Sequence, residues 1–373
     1  MTTHLHILSL QPYFGGSHQS FMENLAASSR HKWSVLSLPP RKWKWRMRHA
    51  ALTFADMLNR HPISDYELVF CSDMLNLAEF RALAPHAIGR LPCVMYFHEN
   101  QFAYPAQTPE QEKENTVFGF INMVGAMAAD DVWFNSAYNL HSFFEGAKAH
   151  LRKMPDFRPF SQLSGLRRRC TVMYPGITIP EVHSAPRPAG PLRILWAARW
   201  EHDKGPEDFF EALTLLSRRK VPFRLNVVGQ NFERVPEVFV RARQQFASRI
   251  DTWGYQPTRE AYLEVLRSSD VIVSTAYHEF FGLSVMEAAA SGVRPLLPQR
   301  LVYPELFAGL NDVFYDGTID ELADKLAELA AVKNREGRIP DLRESTTTAE
   351  AGKYAWPIRA AAMDARLERA AGR

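Results

Sequence analysis

The sequence predicts an α/β protein of two Rossmann-like domains facing a central cleft. Three observations carry that expectation: apolar runs of strand length alternate with helical patterns, a proline-rich stretch interrupts the alternation midway, and the alternation restarts beyond it. At 373 residues the chain is long for one domain and fits two, each able to bury its own core. The boundaries read as 1–175 for the first domain, 176–191 for a linker, 192–355 for the second domain, and 356–373 for a terminal helix able to pack back on the first.

In the first domain the strand runs are HLHILSL, WSVLSL, YELVFCS, CVMYFH, DDVWFNS and CTVMY, with a helix from Ser17 after a Gly-Gly turn. The stretch YPGITIPEVHSAPRPAGP (174–191) carries five prolines and no helical period, as a linker does. Beyond it come LRILWAA, a helix from Pro206, FRLNVVG, a helix near 233–247, RIDTWG, a helix from Thr258, DVIVST, a helix over 282–291, and VRPLLP. That order is a second doubly wound unit. Residues 318–332 and 355–370 read as amphipathic helices.

Hydrophobic content of 46% and charged content of 23% are those of a globular protein. No apolar stretch reaches the roughly eighteen residues of a membrane span, and MTTHLHILSLQPYFGG lacks the basic start of a secretion signal, so the reading is cytoplasmic. Three widely spaced cysteines form neither a disulfide framework nor a zinc set. Residues 1–173 carry 18 Lys+Arg against 14 Asp+Glu, and residues 174–373 carry 26 against 27. The basic bias of the first half suits a polyanionic or membrane-surface partner. The sequence carries no signal for oligomeric state.

The strongest local signal is HEFFGLSVMEAAASGVRPLL (278–297), where Glu279 and Glu287 flank seven residues across a turn that enters a helix. Backbone N–H groups of Gly282, Leu283 and Ser284 at that helix start can receive a diphosphate with help from the helix dipole. Glu287, a turn further in, can accept two ribose hydroxyls, and Glu279 on the preceding loop can face a transferred sugar and favour positive charge at its anomeric carbon. Either glutamate also reads as a plain helix-capping or solvated carboxylate. In AARWEHDKG (197–205), directly after the second domain's first strand, Arg199 and Lys204 can neutralise a departing diphosphate. Gly229 and Tyr255 end two further strands and are weaker donor-site candidates.

In the first domain Gly15 and Gly16 let backbone approach donor phosphates, although PYFGGSH is not a dinucleotide fingerprint. His98 ends CVMYFH, at the edge where α/β sheets bind ligands, and is expected to hydrogen-bond donor sugar or acceptor. Asp130-Asp131 is not a D-x-D arrangement, so no metal or other cofactor is expected.

The Glu-x7-Glu and Arg-x4-Lys-Gly elements resemble the retaining GT-B glycosyltransferases. The segments YFGGSH, KWKWRMRHAA, SDMLNLAEF, YFHENQFAYP, FGFIN…ADDVWFNS and MPDFRP together resemble the tRNA-queuosine mannosyltransferase family across most of residues 5–180. The resemblance implies a GT-B fold and transfer of mannose from GDP-mannose to the cyclopentenediol of queuosine in tRNA, with retention. The residues alone separate neither GDP from UDP nor mannose from another hexose.

An RNA acceptor gives chemical sense to Lys42, Trp43, Lys44, Trp45, Arg46 and Arg48, in which cations meet phosphates and indoles stack on bases. Arg158 extends the basic track, and Asp73, Asn76, Glu99 and Asn100 at strand ends can read the diol or base. The segment reads equally as an amphipathic helix whose tryptophans face the core. Two rival functions stay open: a GT-B enzyme with a lipid or polysaccharide acceptor at a membrane surface, and a non-catalytic RNA-binding protein, which the full set Arg199, Lys204, Glu279 and Glu287 disfavours.

Overall fold

The computed structural model describes residues 4–60, 65–179, 187–230, 235–339 and 351–373. Two compact units divide it: Met1–Gly176 with Trp356–Arg373, and Ile177–Ala355. Within the expected linker, residues 180–186 lie outside the described residues.

The first unit alternates β1 (His6–Gln11), α1 (Gly16–Ser28), β2 (Lys32–Ser37), α2 (Trp43–Arg60), β3 (Leu68–Ser72), α3 (Leu77–Leu83), α4 (His86–Gly89), β4 (Cys93–Phe97), α5 (Pro109–Ala128), β5 (Asp131–Phe134), α6 (Ala137–Arg152), α7 (Phe160–Arg167) and β6 (Cys170–Val172). All pairings are parallel, in the order β2-β1-β3-β4-β5-β6. The runs LVFCS and CVMYF are buried throughout, as central strands covered on both faces must be. One apolar layer joins the sheet to α2, α3, α5, α6 and α7; the other joins it to α1 and the C-terminal helix Trp356–Ala370. That terminal helix packs Trp356, Met363 and Leu367 with Phe21 and Met22, and Arg366 clasps the Asp131 carboxylate through both oxygens, at 2.6 and 2.7 Å.

The second unit runs β7 (Leu192–Ala197), α8 (Pro206–Arg218), β8 (Phe223–Val228), α9 (Glu237–Gln245), β9 (Ile250–Gly254), α10 (Arg259–Ser268), β10 (Val271–Val273), α11 (Leu283–Ala290), β11 (Arg294–Pro298), α12 (Tyr303–Leu306), β12 (Phe314–Tyr315) and α13 (Ile319–Glu336). Its parallel order is β12-β11-β10-β7-β8-β9. Helices begin where the sequence supplies caps: Thr108, Ser136, Thr258 and Thr318 each accept a backbone N–H three residues on.

Strand order fixes where ligands sit. The winding direction reverses between β1 and β3 in the first unit and between β7 and β10 in the second, and a crevice opens at the strand C-terminal ends of such a reversal. Gly15, Gly16 and Asp73 follow β1 and β3, and Arg199, Lys204 and Glu279 follow β7 and β10.

Candidate active site

A 3-10 turn, His202–Lys204, follows β7 and lays Lys204 beside the loop after β10. Lys204 is buried, and its Nζ donates to the His278 carbonyl at 2.6 Å and lies 3.3 Å from Glu279 Oε2 and 3.2 Å from Asp203 Oδ2. Burial works against the ammonium, but the Glu279 and Asp203 carboxylates outweigh it and hold Lys204 above its ordinary value. The Asp203 backbone carbonyl accepts the N–H groups of Tyr277 and His278, which ties the two loops into one body.

Glu279 reaches its charge state by a second route. Its Oε1 accepts from the backbone N–H of Phe280, Phe281 and Gly282, at 3.1, 3.4 and 3.0 Å. Burial pushes its carboxyl up, yet Lys204 and the Phe281 and Gly282 donors bring it below the usual range. Asp203 is likewise lowered despite burial, by His278 and then Lys204. Both carboxylates are ionised, so Lys204 is already neutralised within the fold. Lys204, expected to neutralise a departing diphosphate, thus has partners from a residue beside it and from a loop seventy-five positions away, which spacing alone does not pair.

Gly282 caps α11 in a left-handed conformation, φ 74°. Its N–H is taken by Glu279, so of the three N–H groups expected to receive a diphosphate only those of Leu283 and Ser284, the first helical positions, are left without an intrahelical acceptor. Ser284 Oγ anchors the turn to the Ala197 carbonyl at 2.6 Å. Lys204, Glu279, Ser274, Ser284 and Tyr303 line a hollow of about 20 Å³, the size of a water or a hydroxyl.

Arg199 stays at the surface, with its guanidinium 3.2 Å from Glu201. Glu287 faces Arg259, which grips both carboxylate oxygens at 3.1 and 2.7 Å. A ribose would share that carboxylate with Arg259 rather than find it bare. Gly229 serves the backbone: a Cβ there would lie 1.7 Å from the Ala198 carbonyl oxygen, so only glycine lets the end of β8 meet the end of β7. Tyr255 is exposed, and Trp253 packs with Trp200, Phe210 and Phe239.

In the first unit Asp73 is fully buried after β3; its Oδ1 accepts the His98 N–H at 3.0 Å and its Oδ2 has no hydrogen-bond partner. Burial, and then Glu99, raise its carboxyl well above the ordinary value. The His98 ring lies against His18 at 4.1 Å and edge-on to Phe21 and Tyr96, with Nε2 buried and unpartnered. Burial, then His18, hold it well below its ordinary value, so the imidazole is neutral. Glu99 accepts from Gln101 at 2.9 Å. Gly15 is buried against Pro40, and Gly16 opens α1 at the surface.

Four of the acceptor candidates are engaged within the fold. Asn76 caps α3 by accepting the Glu79 N–H. Asn100 is fully buried: its amide donates to Asn139 and Ser142 while its oxygen accepts the Ala103 N–H. Arg46 is buried and donates to the Pro39 carbonyl and His49, because the α2 register turns it inward. Trp43 packs on Phe118 and Tyr104, so of the two indoles Trp45 alone is exposed. Lys42 is exposed in the turn before α2, and Lys44 and Arg48 reach a common acid, Glu114 of α5. Arg158 is exposed and donates to the Met154 carbonyl.

Residues 6–177 match the tRNA-queuosine alpha-mannosyltransferase N-terminal family, and residues 181–340 match glycosyl transferases group 1. The chain is 33% identical to the tRNA-queuosine alpha-mannosyltransferase of Drosophila melanogaster over 322 residues, 82% of either chain. It belongs to that family. It is 22% identical, over 74% of either chain, to the GDP-mannose:cellobiosyl-diphosphopolyprenol alpha-mannosyltransferase of Xanthomonas campestris. Sucrose-phosphate synthase from Thermosynechococcus elongatus shares its fold, GT-B, with a TM-score of 0.70 at 15% identity over 98% of either chain.

Sequence reasoning about this family member missed Asp203, His278 and Arg259. Asp203 and His278 adjoin Lys204 and Glu279, so adjacency was the available signal. Arg259 lies twenty-eight residues before Glu287 and is joined to it only by folding. Among the described residues no His, Cys, Asp and Glu cluster is arranged to hold a metal. Asp130 is paired with Arg81 and Asp131 with Arg366. No described helix is long and apolar enough to cross a membrane.

Proposed function

We propose that the protein transfers mannose from GDP-mannose to the cyclopentenediol of queuosine in tRNA, with retention at the anomeric carbon, and that it does so in the cytoplasm. The observation that carries this reading is the family match over residues 6–177 together with Arg199, Lys204 and Glu279 at one switch point. The diphosphate is received at the start of α11 by the N–H groups of Leu283 and Ser284, with Arg199 turning from Glu201 to the leaving phosphate. Glu287 keeps its Arg259 partner and offers oxygens to the ribose. Glu279, held ionised by three N–H donors and Lys204, faces the sugar and stabilises positive charge as the bond from anomeric carbon to phosphate oxygen lengthens.

On the first unit, neutral His98 and Asp73 suit uncharged hydroxyls, one accepting and one donating, with Glu99 beside them. The charge borne by a metal in other transferases falls here to Arg199 and the helix start, since Asp130 and Asp131 are engaged in ion pairs. Protein given GDP-mannose and queuosine-containing tRNA is expected to yield a nucleoside heavier by one hexose, with or without EDTA, and tRNA carrying guanine at that position none. An unmodified queuosine tRNA ends the proposal; loss of activity in EDTA restored by manganese ends its metal-free part.

A further inference from the structure

Two segments far apart in sequence converge on one helix of the first unit. Lys44 and Arg48 of α2 reach Glu114 on α5, while Lys153, just past α6, lies 4.0 Å from Glu112, two residues earlier on the same helix. The face so assembled carries large apolar side chains in the open: Trp45 is 59% exposed, Phe120 of α5 44%, and Phe157, in the loop before α7, 76%. Exposed rings at such levels are unusual unless something covers them. Exposed cations stand beside them: Arg48 follows Trp45 by one turn on α2, and Arg158 adjoins Phe157.

Flat rings spaced among cations are the recognition chemistry of a single nucleic-acid strand: each ring stacks a base, and each cation meets a phosphate. A bilayer surface asks instead for one continuous apolar stripe under a cationic belt. The face also adjoins the switch point of its own sheet. Met47 of α2 and Phe118 of α5 pack with Met74, the residue after Asp73, and Tyr13, after β1, packs on that group and on the His18 ring. A strand lying across the rings therefore ends near the neutral pair Asp73 and His98.

We propose that Trp45, Arg48, Phe120, Lys153, Phe157 and Arg158 form a docking surface for single-stranded RNA, which on the functional reading above, on which this rests, is the anticodon loop of the acceptor tRNA. The aromatic residues supply stacking, Arg48 and Lys153 exchange Glu114 and Glu112 for phosphates, and Arg158 adds a third cation from its place beside the Met154 carbonyl. The surface shifts the RNA contact away from Arg46, which the fold has turned inward, and from Trp43, which packs on Phe118 and Tyr104, and adds Phe120, Lys153 and Phe157.

Binding of a fluorescently labelled anticodon stem-loop to the full chain, followed by anisotropy, tests the surface. Trp45 and Phe157 are so exposed that Trp45→Ala and Phe157→Ala leave the fold intact, which an unchanged melt and unchanged GDP binding would register. Each is expected to weaken RNA binding about fivefold or more. Lys153→Gln with Arg158→Gln is expected to flatten the dependence of log affinity on log salt by about 0.7 for each phosphate that is no longer neutralised. A double variant Trp45→Ala, Phe157→Ala that binds the stem-loop within twofold of the parent overturns the proposal. So does a parent that ignores the RNA and binds phosphatidylserine vesicles through the same two residues. The reaction fails separately: a parent that binds RNA through these residues but transfers no hexose upholds the surface and ends the mannosyltransfer reading.

Discussion

At the switch point of the second unit, charges are met by charges: Lys204 lies between Asp203 and Glu279, and Glu287 is clasped by Arg259. At the switch point of the first unit, the buried titratable groups are held neutral: burial raises Asp73 and lowers His98, and each keeps one polar atom without a partner. Burying an ionised group is tolerable only with counter-charges and hydrogen bonds in place, whereas a neutral acid or imidazole costs far less to bury and can exchange hydrogen bonds with a hydroxyl. The charged site suits a diphosphate and the positive charge of a departing sugar. The neutral site suits a polyol.

Removing the cation from the charged site gives the largest expected effect. Lys204→Ala leaves the buried Asp203 and the half-buried Glu279 without their ammonium, and breaking such a buried pair costs about 3–5 kcal/mol. Urea unfolding should show that loss alongside the loss of transfer. The variant therefore reports on folding as much as on chemistry, and a midpoint unchanged from the parent would contradict the mutual dependence of the three groups.

Arg199→Ala is the cleaner probe of catalysis. The side chain is 44% exposed and its ion pair with Glu201 is a surface one, worth about 0–1 kcal/mol. Stability should hold while kcat falls about 10²–10³-fold, the usual loss on removing one fixed group that stabilises transition-state charge. If kcat holds and only KM rises, Arg199 binds the donor without favouring its departure.

These two cations also mark where the sequence was legible. The alternation of strand and helix, the helix starts at caps such as Thr258, and the placing of Arg199, Lys204 and Glu279 after strands are local features, written in consecutive residues. Partnership is not local. That Arg199 is exposed while Lys204 is buried, that Arg259 meets Glu287, and that Glu114 gathers Lys44 and Arg48 depend on contacts across 28 to 75 positions. The basic-aromatic run at 42–48 shows the limit most directly: composition marks all six residues alike, and only the helical register of α2 sends Arg46 inward and Trp45 outward. Asn76 and Asn100 show it again, as amides at strand ends that the backbone claims for capping.

The smallest expected effect falls on the neutral site and is read through its pH dependence. Asp73→Asn keeps the oxygen that accepts the His98 N–H and removes only the ionisable proton. In the parent the native state binds the Asp73 proton more tightly than the unfolded chain, so the parent loses stability as pH rises from the ordinary carboxylate range through the raised native value. The variant has no such loss. His98, whose lowered value favours the native state at higher pH, titrates in both proteins and cancels in their difference. The stability of Asp73→Asn minus that of the parent should therefore climb with pH, by on the order of 1 kcal/mol, and level off once Asp73 is ionised in the native parent. Thermal melts of both proteins from pH 4.5 to 9 measure that difference. A flat difference would mean that Asp73 is ionised in the folded protein as it is in water, and the contrast between a charged and a neutral switch point would fall.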